Sequence, residues 1–370
     1  MANNAEPTLP PVALPRPLVQ ATGPESRRRT WPVSAGGLGW LGVLVIACLL
    51  CYITSASTQT YLVTWAIYAI GAISLTVLTG VAGLPSIGNS AFLAIGAYTV
   101  ALIPFTTTSV FVGMALGAVV GGVGGLIAGL PSLRLRGLYL AVSTLALYFI
   151  VYSGAQLLEE DTNHPAGYTI PGPQLWSGAL LTGRGWYLFL VAVVAVYVFL
   201  IRNLLRSRIG RSWLAVRELD SLSGVFGVAP GVTKLTVFVF SSAMVGLSGA
   251  LLAVNSGTII SGDFSLQLGV LFILMIVIGG AGSIGGAIAG SGAAVLLPYF
   301  LQQVGQQVDP NSMWLSQNAI VLEYGVFGAL IVVLLLFYPS GLAGLGRYLL
   351  SLAGMAGQRL SGRWRARVSP

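Results

Sequence analysis

Charge is what this sequence most lacks: charged residues occupy 8% of its 370 positions, where a soluble globular domain carries about a quarter. That scarcity excludes an ordinary soluble enzyme domain. Imidazole and thiol are nearly absent too. His164 is the single histidine, and the two cysteines, Cys48 and Cys51, share one apolar run. They form neither a disulfide framework nor a zinc-ligand set, and read as small apolar fillers. Lysine occurs once, as Lys234 in A-P-G-V-T-K. No G-x-x-x-x-G-K-[ST] phosphate loop is present, so this chain is not expected to hydrolyse ATP. A G-x-S-x-G nucleophile elbow is also missing, and His164 lies in EEDTNHPAGY, a run that reads as solvated loop charge. The sequence therefore predicts no catalytic residues, no metal site and no cofactor bound by this chain.

What the chain has instead is apolar length. Hydrophobic residues make up 55% of it, with 49 glycines, and the mean hydropathy is +0.86. Glycine at that level suits membrane helices and shows no collagen-like period of three. Ten apolar stretches can be read: Ala35 to Tyr52, Tyr61 to Val81, Gly88 to Phe105, Val110 to Leu130, Gly137 to Tyr152, Trp186 to Ile201, Val232 to Val254, Leu266 to Ile278, Ile284 to Leu301 and Ala319 to Tyr338. Several are shorter than the 17 to 25 residues of a straight crossing, which gives eight to ten transmembrane segments. The runs are continuous rather than alternating, so helices are expected and a barrel is not. The fold class is an all-α polytopic membrane protein.

Basic residues test the count. With the N-terminus in the cytoplasm, Arg16, Arg27 to Arg29, Arg134, Arg136, the arginines from Arg202 to Arg217 and those from Arg347 to Arg367 all face inward, and only Arg184 faces out. Glu159, Glu160, Asp161, Asp263 and Asp309 are then expected in outside loops. Residues 1–34, rich in proline and polar groups, read as a disordered cytoplasmic tail, 35–346 as the membrane domain and 347–370 as a basic cytoplasmic tail. Arg27 to Arg29 before an apolar run could open a secretory signal, but that run is longer than a signal core. The formal net charge of +8 follows from this topology, with anionic lipid as a further contact and no need of nucleic acid.

One cytoplasmic connection is long. In Arg202 to Gly231, Trp213, Val216, Leu219, Leu222 and Val225 or Phe226 recur at helical spacing, while Arg211, Arg217, Glu218 and Asp220 lie off the stripe. This predicts an amphipathic helix over 211–226, stopped at Gly227 and Pro230. Its stripe needs a cover: lipid headgroups, the chain's own bundle or a partner protein. Docking on a soluble motor would make the helix a mechanical handle.

Two glycine-rich stretches, Gly80 to Leu102 and Gly279 to Leu297, occupy comparable places in the two halves, which predicts an internal repeat. They suit either close helix packing or broken, re-entrant segments whose freed backbone lines a polar route. In the second case Ser86, Asn89, Ser90 and Ser283 are candidate path residues, joined by Ser143 and Thr144 unless those hydroxyls bond back to their own helix. Glu323, near the end of the last span, reads as snorkelling more readily than as a proton relay.

These motifs together resemble the membrane permease subunit of branched-chain amino acid ABC importers, in particular its LivM-type branch, within the binding-protein-dependent inner-membrane transport components. GLPSIGNSAFLAIGAY resembles the family's G-L-x-S-x-G-x-x-A-F-x-x-I-G-A-Y, with Asn89 where histidine is frequent. Arg134 to Ala146 is similar to R-L-R-G-L-Y-L-A-x-x-T-L-A, and GGAGSIGGAIAG to a later glycine-rich segment. Gly210, Arg211, Ala215, Arg217, Glu218 and Gly227 agree with the family's cytoplasmic loop, where the usual Ala-Ala is Leu222-Ser223. The T-G-G-like patch appears as Thr162, Asn163 and His164.

The resemblance implies one permease of a pair, the partner homologous but nonidentical. It also implies two ATPase subunits that use ATP and Mg2+, an external solute-binding protein, and a branched-chain amino acid or related small polar solute. Arg211, Trp213, Val216, Arg217, Glu218, Leu219, Leu222 and Gly227 would then form the ATPase-coupling helix. Import of urea or short amides, an ATP-independent secondary transporter, and a nontransport membrane scaffold are the alternatives.

Overall fold

The computed structural model describes Thr54 and residues 56–103, 110–135, 137–173, 183–218, 229–280 and 282–308, with isolated positions 325, 328, 329 and 341. The apolar runs expected at Ala35 to Tyr52 and Ala319 to Tyr338, both tails, Asp309 and Glu323 lie outside the described residues.

The order of elements is α1 (Ala56–Leu75) continued by a π-turn (Thr76–Val81), α2 (Asn89–Ala101), α3 (Val110–Ser132), α4 (Leu138–Asp161), β1 (Tyr168–Thr169), α5 (Arg184–Arg206), α6 (Arg208–Glu218), α7 (Pro230–Ser256), β2 (Thr258–Ile259), a 3-10 turn (Ser261–Phe264), α8 (Leu266–Gly279) and α9 (Ile284–Val308). Six helical segments are long and apolar enough to cross a membrane: α1 with its π-turn, α3, α4, α5, α7, and α8 with the preceding 3-10 turn. The chain is a multi-pass, essentially all-helical membrane protein. Among the described residues the one sheet is the two-residue antiparallel pair of β1 and β2, Tyr168 against Ile259.

In lipid there is little hydrophobic drive between helices, so small residues and buried hydroxyls must bring them together. Both devices are used. Gly117, Gly121, Gly125 and Gly129 recur every four residues on α3 and face α7. At Gly121 an added Cβ would stand 2.8 Å from the Ser242 carbonyl oxygen and 2.9 Å from the Gly246 Cα, so the two backbones touch. Hydroxyls then staple α1 to its neighbours: Ser241 donates to the Ser74 carbonyl at 2.8 Å, Ser248 to that of Ile67 at 2.8 Å, and the Tyr197 and Ser74 hydroxyls meet at 2.6 Å.

Burial follows from this arrangement. The apolar windows of α1 and α7 are 78% and 67% buried, those of α4 and α5 only 28%, so α1 and α7 are central. The peripheral helices turn Val119, Val123 and Ile127, Phe149 and Ile150, and Val196 and Phe199 outward. Exposed apolar side chains of that number are what lipid contact requires.

One boundary differs from expectation in a way that matters. The fifth apolar run ends at Tyr152 by hydropathy, but α4 continues to Asp161. Glu159, Glu160 and Asp161 are its last turn rather than a loop. Glu160 and Asp161 are exposed, whereas Glu159 points inward and is buried.

Candidate functional site

The site begins at a break in a helix. α1 ends in the π-turn, Gly83 turns the chain with φ of +71°, and α2 does not start until Asn89. A side chain is excluded at Gly83 twice over, because an added Cβ would also stand 2.9 Å from Arg217 Cγ. α2 has 13 residues, about 20 Å of helix against a hydrocarbon core of about 30 Å. It cannot cross on its own. It is buried at Asn89 to Leu93, Ala94, Gly96, Ala97, Tyr98 and Val100, so it lies inside the bundle.

The chain pays for that break with exposed polarity in the interior. Ser86, Asn89 and Ser90 are 3%, 2% and 0% exposed, and Ser86 Oγ, Asn89 Nδ2 and Ser90 Oγ find no hydrogen-bond partner among the described residues. Gly88, at the N-cap of α2, supplies no side-chain cap. Thr144 of α4 steadies the turn by accepting from the Ile87 amide at 3.1 Å while donating to Ala141 O at 2.9 Å. Buried orphan polar groups cost about 1–3 kcal/mol each. Three of the four such atoms among the described residues gather at this helix start, the fourth being Ser242 Oγ on α7.

A narrow crevice lies between α2, α4 and the 3-10 turn. Ser90, Tyr148, Val151, Tyr152, Ser261 and Phe264 are among the residues that line it. It is pinched too tightly to hold a water molecule. Ser261 is held by Glu159, whose carboxylate accepts from Tyr98 Oη at 2.5 Å, the Ser261 amide at 2.7 Å and Ser261 Oγ at 2.8 Å. One buried side chain thus ties α2, α4 and the 3-10 turn together.

At the opposite end lies α6. Ser207 makes the corner with α5, donating to Leu204 O at 2.6 Å and accepting from the Gly210 amide at 3.4 Å. The apolar stripe is covered by the chain's own bundle: Trp213 and Val216 are buried, with Trp213 Nε1 donating to Thr236 Oγ1 of α7 at 3.3 Å and its ring 5.8 Å from that of Phe240. Arg217 donates through Nη1 to the Gly80 carbonyl in the π-turn. The opposite face presents Arg208, Ile209, Arg211 and Glu218. Arg211 also bonds Arg206 O at 2.9 Å.

The structure therefore brings Ser86, Asn89, Ser90 and Thr144 together at the break, and Trp213, Val216 and Arg217 onto the bundle beside it. Ser143 is half-buried and bonds back to Leu140 O at 2.8 Å. Ser283 accepts from the Gly286 amide at 3.1 Å and caps α9 at the second glycine-rich break, where Gly280 and Gly282 have φ of +98° and +93°. Leu219, Leu222 and Gly227 lie outside the described residues. Glu159, Tyr98 and Ser261 were not expected at a site. The signal for Glu159 is its four-residue step from Ala155, which continues a buried face of α4 with Thr144 and Tyr148. Among the described residues no group of three or more His, Cys, Asp or Glu is placed to hold a metal.

Comparison with known proteins agrees with this architecture. The model of the family described as branched-chain amino acid transport system / permease component matches residues 57–354. The high-affinity branched-chain amino acid transport system permease protein LivM of Salmonella typhimurium is 31% identical over 338 residues, covering 84% of this chain and 76% of that protein. The protein of the same name from Escherichia coli is 30% identical over 337 residues, with the same coverage. No solved structure gives a significant match. With a family match over most of its length and a helical membrane bundle beneath it, the chain belongs to the branched-chain amino acid transport system permease components.

Proposed function

We propose that this chain is one permease subunit of an ATP-driven importer of branched-chain amino acids or a closely related small polar solute. It pairs with a homologous second permease. Two cytoplasmic ATPase subunits, using ATP and Mg2+, engage α6, and an external binding protein delivers the solute. The α6 end of the bundle faces the cytoplasm, as the arginines Arg202 to Arg217 require, and the crossings number eight to ten once the first and last apolar runs are included. The two glycine-rich breaks stand as the broken segments of an internal repeat.

The observation that carries this reading is the hydrogen bond from Arg217 to Gly80. It joins the exposed cytoplasmic helix directly to the π-turn, only six residues before Ser86, and so to the buried polar break. An ATPase that displaces α6 moves the break with it, because Trp213 seats the helix on α7 and Arg217 grips the turn. Closed packing and open path are then two arrangements of one element, which is the form a driven transition requires. Since Trp213 and Val216 are already covered, the ATPase meets the other face, Arg208, Ile209, Arg211 and Glu218.

Copurification in mild detergent tests the proposal. Two ATPase chains, a second permease and a binding protein are expected with this chain. A chain that purifies without them and moves solute in liposomes without ATP contradicts it.

A further inference from the structure

We propose that the first turn of α2, with Ser86, Asn89 and Ser90, is the subsite that holds the carboxylate group of the transported amino acid. The inference rests on the importer reading and adds to it the part of the solute recognised and the residues that recognise it.

Three observations converge. α2 starts inside the bundle, so the partial positive charge of its N-terminus is directed at protein interior rather than water, where it favours an anion most. No side chain caps it, since Gly88 occupies the cap position. Around it stand three polar atoms that lack partners among the described residues: Ser86 Oγ, Asn89 Nδ2 and Ser90 Oγ, each on a residue at least 97% buried. Asn89 Nδ2 can only donate, and the two hydroxyls are free to donate, so the set suits an acceptor with several lone pairs.

The site also borders a crevice. Ser90 lines it together with residues of α4 and with Ser261 and Phe264. Its hydroxyl lies against α8, where an added Cβ at Gly269 would stand 3.0 Å from Ser90 Oγ and 3.0 Å from Ile87 O. Small residues thus surround the hydroxyl on the α8 side, and the Arg217 grip on Gly80 places the lever six residues from Ser86. A carboxylate at the helix start offers these donors the acceptors they lack, and displacement of the π-turn releases it. A neutral amide or urea carries no negative charge for the helix start to attract, so the subsite favours the carboxylate over them.

The test uses the complete complex in proteoliposomes, with Cys48 and Cys51, the only cysteines of the chain, replaced by serine and Ser90→Cys added. Labelling by a methanethiosulfonate reagent is followed with leucine or leucinamide present. Leucine is expected to slow labelling about tenfold, the effect of roughly 1.4 kcal/mol of occupancy, and leucinamide to leave it nearly unchanged. Equal protection by both, protection by neither, or no labelling in any nucleotide state overturns the subsite. ATP-dependent leucine uptake by the cysteine-free parent reports on the importer reading separately: uptake without selective protection refutes the subsite alone, and absence of uptake refutes the importer. As a second variant, Asn89→Asp puts a negative charge where the carboxylate would sit and should cut leucine uptake at least tenfold in the assembled complex, whereas Asn89→Gln, which keeps a donor, loses less. An Asn89→Asp complex that takes up leucine like the parent overturns the proposal.

Discussion

Arg217 on α6 donates to the carbonyl of Gly80, 137 residues earlier in the chain. The Gly80 carbonyl is free to accept because it lies in the last turn of the helix, which ends at Val81. The side chain also packs over Gly83, whose positive φ favours glycine. A helix outside the membrane core is thereby fastened to the segment that carries the buried polar break.

That fastening predicts uncoupling. Arg217→Ala should leave the chain inserted and the complex able to hydrolyse ATP, yet lower uptake about tenfold, equivalent to roughly 1.4 kcal/mol of lost coupling. Arg217→Lys, which keeps charge but not the forked donor, should fall between. The ratio of solute moved to ATP hydrolysed is the measurement, and an unchanged ratio for Arg217→Ala counts against the lever.

Trp213 holds the same helix by packing. It is 1% exposed and its indole meets Thr236 and Phe240 of α7. Trp213→Ala removes a large buried ring, a change of about 3–5 kcal/mol in protein cores. The expected result is protease sensitivity in the 202–229 connection at a temperature where the parent resists. Equal resistance would mean that α6 is held by something else.

Glu159 clasps α2 and the 3-10 turn to α4 with three accepted hydrogen bonds. Glu159→Gln replaces one acceptor oxygen with a donor facing other donors, a cost of about 1–3 kcal/mol. Ser261→Ala removes the hydroxyl bond but keeps the amide one. Thermal unfolding of the purified protein should rank Glu159→Gln well below Ser261→Ala, and the reverse order would contradict the clasp.

Close backbone packing predicts a sharp contrast between two glycines. Gly121→Val forces a side chain onto the Ser242 carbonyl and Gly246 Cα, while Gly154 on α4 has nothing within 4 Å of an added Cβ. Gly121→Val should abolish recovery of folded protein from the membrane, and Gly154→Val should preserve it. Monodispersity by size-exclusion chromatography in detergent separates the two.

The sequence made some of this legible and hid the rest for physical reasons. Continuous apolar runs reveal membrane helices because lipid forces every backbone group into local hydrogen bonds. Gly83 and Pro85 announce the break in the same local way. The spacing of Trp213 and Val216 reveals an amphipathic helix, though it starts at Arg208 rather than Arg211. Which surface covers a stripe is decided by partners distant in the chain, Thr236, Phe240 and Gly80, and spacing carries no record of them. Glu159 was obscured for the same reason. An acid beside two other acids reads as a loop until Tyr98 and Ser261 are seen to satisfy it.

The most direct measurement is solute uptake by the reconstituted complex of this chain with its second permease, ATPases and binding protein, run in parallel with the same complex carrying ATPases that bind ATP but cannot hydrolyse it. Uptake that follows hydrolysis and stops when hydrolysis stops is the predicted result. Uptake of equal rate in both preparations would contradict the account.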